Sequence, residues 1–164
     1  MPADRDVLPK LVIRRGDDAD APLFIALIGR CWADYPGCIL DLEVEEKQLF
    51  ALASYYAAQR GALWIAGEGA GMIATRPVSF SIWEICRVYV HPARHGSGLG
   101  VRLMRQAEAH AIAAGASVLE LWTDTRFHRA HRFYEKHGYQ RGVRRVLHDL
   151  SHSEEWHYSK PVAR

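Results

Sequence analysis

The 164-residue chain has few cysteines: Cys31, Cys38 and Cys86, an odd set with no close spacing. That excludes a disulfide scaffold and agrees with a reducing compartment. Its nine histidines form no His-Glu-x-x-His pattern, and no Cys-x-x-Cys accompanies them. His128 and His131 could meet on one helix face, but without the usual ligand spacing no metal is expected. No apolar run approaches the roughly 18 residues of a membrane span, and Met1-Pro2-Ala3-Asp4-Arg5-Asp6 has no apolar signal core. A cytoplasmic location with no membrane partner is therefore expected. Charge is nearly balanced, with 21 Lys and Arg against 19 Asp and Glu. So small an excess gives no reason to expect a nucleic-acid partner. Arg126, Arg129, Arg132, Arg141, Arg144 and Arg145 do concentrate late in the chain. They read as solvated faces or as a local basic surface.

What is present suits one folded domain. Hydrophobic residues make up 49%, and the length supports one sizeable core. A single domain over 1–164 is expected, with a flexible N-terminus over 1–9. Leu11 to Arg14 reads as a strand. Phe24, Leu27, Ile28 and Cys31 recur with helical spacing behind the capping candidates Asp17 and Asp20, and Tyr35-Pro36-Gly37 stops the helix. Glu43 to Arg60 reads as a second helix, with Leu49, Leu52 and Tyr56 inward. Ala62 to Ala66 and Met72 to Thr75 form a hairpin across a glycine-bearing loop. Ile82 to His91 is a long β-rich run. A helix then extends to about Ala114 with Leu99, Leu103, Ala107 and Ala114 on one face. Val118 to Trp122, a helix from Arg126 to His137, and strands Gln140 to His148 and Trp156 to Lys160 complete the chain. This order predicts an α/β domain: one mixed sheet of about seven strands with helices on both faces. Open edges at the terminal strands make a homodimer an expectation.

Residues 88 to 100 read Val-Tyr-Val-His-Pro-Ala-Arg-His-Gly-Ser-Gly-Leu-Gly. A strand that ends in a glycine loop at a helix N-terminus can cradle an anion, through loop amides and the helix dipole. A Walker loop needs Lys-Ser/Thr after its last glycine, and here Val101-Arg102 follows Gly100. The dinucleotide fingerprint needs Gly-x-Gly-x-x-Gly early in a βαβ unit, and this loop is Gly-x-Gly-x-Gly past mid-chain. A glycine-rich turn that merely caps a helix is the plain alternative. The stretch resembles motif A of the GNAT acyltransferase superfamily, matching it at Val88, Val90, Pro92, Gly98 and Gly100. His95 stands where Arg or Gln is usual, with Arg94 before it. A second run, Ala130-His131-Arg132-Phe133-Tyr134-Glu135-Lys136-His137-Gly138-Tyr139, resembles the family's A-x-x-h-Y-E-K-x-G-F/Y sequence. The element order is also that of the superfamily, across essentially the whole chain.

The resemblance implies an acetyl-CoA-dependent N-acetyltransferase that acts on a primary amine by direct attack in a ternary complex, with fourth and fifth strands splayed around the donor. It implies backbone contacts to the acetyl group and pantetheine from Val88, Tyr89 and Val90. The pyrophosphate falls on His95, Gly96, Ser97, Gly98, Leu99 and Gly100, and the late arginines could serve the 3′-phosphate. Tyr134 takes the place of the general acid beside the sulphur, a role that suits a phenol with a pKa of about 10; it reads equally as a core aromatic. Phe127 stands near the cofactor where many members have Asn. Glu84 is the candidate base. With period 2, barring the expected bulge, it shares a face with Val88 and Val90, and Trp83 and Phe80 could bury it. It reads also as a partner for Arg87. Trp32, Asp34, Tyr35, Trp122 and Asp124 are candidates for the acceptor site, where carboxylates could pair an ammonium and aromatics could face it. Asp34 and Asp124 read also as a turn residue and a helix cap. The stretch from Arg126 to Tyr134 looks somewhat like members acting on amino acids or aminophosphonates. A CoA-binding module without catalysis is the alternative function.

Overall fold

The computed structural model describes residues 10–162, so the flexible terminus expected over 1–9 lies outside the described residues. Their elements run β1 (Ile13–Arg15), α1 (Ala21–Trp32), α2 (Leu52–Ala58), β2 (Ala62–Ala66), β3 (Gly71–Pro77), β4 (Ile82–Val90), α3 (Leu99–Ala113), β5 (Val118–Asp124), α4 (His128–Lys136), β6 (Gln140–Val146) and β7 (Glu154–Pro161). The seven strands form one sheet in the order β1-β2-β3-β4-β5-β7-β6. All neighbours are antiparallel except β4 and β5. The described chain is thus the expected mixed α/β sheet.

Alternation along the central strands makes both faces apolar, so both require cover. In β2, Trp64 and Ala66 face one core, and Leu63 and Ile65 face the other. The first core is closed by α3, whose Leu99, Leu103, Met104, Ala107 and Ala111 form one buried stripe, and by Tyr134 of α4. The expected stripe differs at its end: Ala114 follows the last helical residue and is exposed. The second core is closed by Phe24, Leu27 and Ile28 of α1 and by Leu49, Leu52 and Tyr56 around α2. No described helix is long and apolar enough to cross a membrane.

Two helices start later than the sequence pattern suggests, and a side-chain carboxylate is the cause each time. The Asp41 carboxylate accepts the amides of Glu43 and Val44 at 3.1 and 3.3 Å, and its carbonyl accepts from Glu46 at 2.8 Å. Those bonds wind 41–46 into turns, a 3-10 stretch follows over Lys47–Ala51, and α2 begins only at Leu52. Asp124 accepts the Arg126 amide at 2.8 Å, which delays α4 to His128.

The sheet's main irregularity is in β4. Met72 pairs with Tyr89 and Ala74 with Cys86, so β4 spends three residues where β3 spends two. This is a β-bulge, and within it Arg87 adopts φ of +55°. The extra residue reverses the alternation. Trp83, Ile85, Val88 and Val90 pack on the first core, while Cys86 and Tyr89 pack on the second. The expectation that Glu84, Val88 and Val90 share a face is therefore corrected. Beyond the bulge β4 also parts from β5. The two strands pair only at Ile82–Val118, Trp83–Leu119 and Glu84–Glu120. From Ile85 to Val90 the β4 edge facing β5 has no strand partner, which is the expected splay.

Leu103 is fully buried between α3 and the sheet. Leu103→Ala is expected to lower the unfolding free energy by about 2–5 kcal/mol, read from denaturant melts. A loss well under 1 kcal/mol would contradict this packing.

Candidate functional site

The V between β4 and β5 opens into two hollows. The first is a cleft of about 490 Å³ lined by the end of β4, the loop before α3, the C-terminal part of α1 and one face of α4. The second is a cavity of about 320 Å³ on the other side of the bulge. Trp32, Val88, Tyr89, Phe127, Ala130 and Tyr134 line both. The shared wall is where two ligands could meet.

The floor of the first cleft is built for an anion. Gly96 and Gly98 have φ of +78° and +85°, which residues with a Cβ rarely adopt, and open space lies above each. The amides of Gly96, Gly98, Gly100 and Val101 have no backbone acceptor among the described residues, because the first bond into α3 runs from Arg102 to Gly98 at 3.2 Å. Four unpartnered N–H groups at the positive end of a 15-residue helix suit a phosphate. Arg94, Arg129 and Lys136 also line the cleft, and Asp34 is its one lining carboxylate. Of the late arginines, Arg129 alone reaches it. His95 lies there with its pKa held below the ordinary value by burial and by the Arg129 guanidinium. Ser97 does not line the cleft; its hydroxyl accepts the Leu99 amide at 3.4 Å.

Tyr134 lies at the junction. The residue is 5% exposed, and its hydroxyl has no hydrogen-bond partner among the described residues. Burial raises its pKa well above the usual phenol value, with Tyr89 and Cys86 adding to the effect. It therefore stays protonated at neutral pH. All three thiols are also raised by burial, Cys31 to about 11 and Cys86 to about 12. None offers a thiolate nucleophile at neutral pH.

The second cavity is walled by ion pairs. Arg76 donates to Glu84 at 2.7 Å, Arg87 to Glu46 at 2.8 Å, and Arg145 to Glu155 at 2.7 Å. Glu84 is thus the partner of Arg76 rather than Arg87. It lines this cavity and not the cleft, and Phe80, 95% exposed, buries nothing. Arg145 stacks on Trp122 at 3.9 Å. Trp122 and Asp124 line the cavity, whereas Asp34 and Tyr35 line the first cleft instead. Asp34 pairs with Arg30 at 3.1 Å. Asp124 is bound by both Nε and Nη2 of Arg126 at 2.9 and 2.8 Å, so it shapes a turn. Phe127 stacks against Tyr35, centroids 4.6 Å apart. Sequence reasoning missed Glu46, Arg76, Thr123, Asp149 and Glu155 as cavity residues. They converge from four separate segments, and no spacing in the chain signals it.

His128 and His131 do meet, with ring centroids 5.7 Å apart. Nε2 of His131 is committed, donating to the Asp124 carbonyl at 2.8 Å. Among the described residues no group of three or more His, Cys, Asp or Glu could hold a metal ion.

Sequence comparison agrees with this geometry. The profile of the acetyltransferase (GNAT) family matches residues 26–139. The chain belongs to that family. It is 37% identical over 76 residues to an uncharacterized N-acetyltransferase from Archaeoglobus fulgidus, a match covering 43% of this chain and 52% of that one. It is 38% identical over 80 residues to the aminoalkylphosphonate N-acetyltransferase of Salmonella typhimurium, covering 45% and 51%. The chain thus spans about half the length of the curated relatives it matches. The fold is similar to an acetyltransferase from Streptococcus agalactiae, with TM-score 0.80, 21% identity and coverage of 94% and 99%. It is also similar to the PaiA N-acetyltransferase of Thermoplasma acidophilum in complex with coenzyme A, with TM-score 0.71, 16% identity and coverage of 93% and 99%.

Two predictions follow the geometry. Gly98→Val forces a branched side chain onto positive φ and should abolish CoA binding in a calorimetric titration; unchanged affinity would remove the loop from the site. His131 is held below its ordinary pKa chiefly by burial. The folded state keeps it neutral while the unfolded chain takes a proton near pH 6.5, so stability present above about pH 6.5 is lost as pH falls below it. Unfolding free energy should fall between about pH 7 and about pH 5, and less steeply in His131→Gln. Identical slopes would contradict the assignment.

Proposed function

We propose that the protein is an acetyl-CoA-dependent N-acetyltransferase that acetylates the primary amine of a small molecule by direct attack within a ternary complex. The observation that carries this reading is the pair of hollows that share one wall at Val88 and Tyr134. Two reactants held on opposite sides of one residue satisfy the proximity that a bimolecular transfer requires. A CoA-binding module without catalysis has no use for the second, polar cavity.

Acetyl-CoA, when bound, supplies the activated acetyl group. The amides of Gly96, Gly98, Gly100 and Val101 would hold its phosphates, with Arg94, Arg129 and Lys136 adding charge. The unpaired β4 edge at Val88 and Val90 offers backbone groups to the acyl arm, as an added strand would use. The Tyr134 hydroxyl holds a proton at the junction and is suited to donate it to a leaving thiolate. Glu84 has one carboxylate oxygen on Arg76 and the other without a donor among the described residues, so it can accept the amine's proton through water. The high pKa of each thiol supports direct attack over an acyl-enzyme. Phe127 replaces a polar contact with a ring that narrows the cleft against Tyr35.

The test is release of CoA thiol from acetyl-CoA across a panel of amines. Tyr134→Phe should lower kcat by about 10- to 100-fold with little change in KM for acetyl-CoA. Wild-type turnover in this variant would remove Tyr134 from the chemistry.

A further inference from the structure

We propose that the acceptor is a compact aliphatic amine carrying a second positive charge, a diamine rather than an amino acid or aminophosphonate; this rests on the acetyl-transfer reading of the same cavity.

Two segments clasped to each other, 38–46 and 147–155, border the second cavity; of their carboxylates, Glu46, Asp149 and Glu155 line it. Ser151 accepts the Ile39 amide at 2.7 Å and donates to the Ile39 carbonyl at 3.2 Å, and Glu45 accepts the Leu150 amide at 3.0 Å. These segments carry seven carboxylates, and arginines neutralise only three. Glu46 pairs with Arg87, Glu154 with Arg144 and Glu155 with Arg145. Asp41, Glu43, Glu45 and Asp149 have no cationic partner within 4.0 Å among the described residues. Asp41, Glu45 and Asp149 accept only backbone amides, which leaves their charge in place. Lys47 adds one nearby cation, and the Arg126 guanidinium, itself bound to Asp124, acts on Asp149; together they are too few to cancel four carboxylates.

The opposite balance holds across the shared wall, where the first cleft has several cations and one acid. The protein thus presents a positive site for an anionic donor and a negative rim beside it. Thr123 and Tyr134, each 5% exposed, line the cavity, and neither hydroxyl has a hydrogen-bond partner among the described residues. Such groups take part in hydrogen bonds to a bound amine. Burial, together with Asp124 and Glu84, raises the Glu155 pKa, so these carboxylates lie close enough to repel and a cation among them relieves that repulsion. An anionic acceptor finds the reverse. The lining guanidiniums of Arg76, Arg87 and Arg145 are already engaged, and the acidic rim opposes its approach.

The experiment compares putrescine, butylamine, γ-aminobutyrate and aminopropylphosphonate. Each is assayed for thiol release with saturating acetyl-CoA, and titrated calorimetrically into protein saturated with CoA. Putrescine should exceed butylamine in kcat/KM by about tenfold or more, and the two zwitterions by a wider margin. Added salt should narrow the gap. Glu45→Gln with Asp149→Asn keeps hydrogen-bond acceptors at both positions and should reduce the putrescine preference several-fold. A zwitterion that reacts or binds as well as putrescine overturns the proposal. If no amine releases thiol, tighter putrescine binding supports the charge preference while overturning acetyl transfer, and equal or absent binding overturns the proposal.

Discussion

Strand β4 contains one residue more than β3 can pair, and the site depends on that surplus. The extra residue sets Arg87 in a conformation that side chains rarely adopt, at a cost of order 1–3 kcal/mol. Its buried guanidinium is held by Glu46, which also accepts from Gln48 at 3.0 Å. The bulge reverses which side chains face each core and moves the strand away from β5 after three paired residues. Without it β4 would continue along β5, Val88 would face the other core, and the V would close. A local irregularity in hydrogen bonding thus creates both hollows.

Charge then sorts the hollows. Loop amides, a helix terminus and the lining cations Arg94, Arg129 and Lys136 make one side attractive to phosphates. Carboxylates, many already paired, make the other side polar and negative at its rim. Tyr134 belongs to both sides and is committed to neither: its ring is packed in the core while its hydroxyl has no partner among the described residues. Burial that would be a liability for a charged group is compatible with a neutral phenol, and keeps it protonated.

Much of the fold was legible because both periods are clear. Phe24, Leu27 and Ile28 repeat as a helix should, and the central strands are rich in β-branched and aromatic residues. The glycine loop was legible because positive φ and close approach demand glycine at Gly96 and Gly98. The misreadings have one common physical source, side chains that bond to backbone or to distant partners. Asp41 and Asp124 accept amides and shift helix starts. Ser97 turns back to Leu99 instead of facing the cleft. The bulge at Arg87 has no glycine to mark it, and its stabilising partner lies 41 positions away. The face shared by Glu84, Val88 and Val90 holds only without the bulge, and Glu46 and Glu155 enter the site through tertiary pairing. The second cavity is assembled by tertiary contacts, and a single chain's local pattern does not encode them.

The most direct test of the two-sided site is an initial-rate matrix in which acetyl-CoA and a reactive amine are varied together. Reactants that meet across one shared wall must both be bound before transfer. The account predicts double-reciprocal lines that intersect, with acetylated amine absent until both are present. Parallel lines, with one equivalent of CoA thiol released before amine is added, would show acetyl passing through the protein itself and contradict the account.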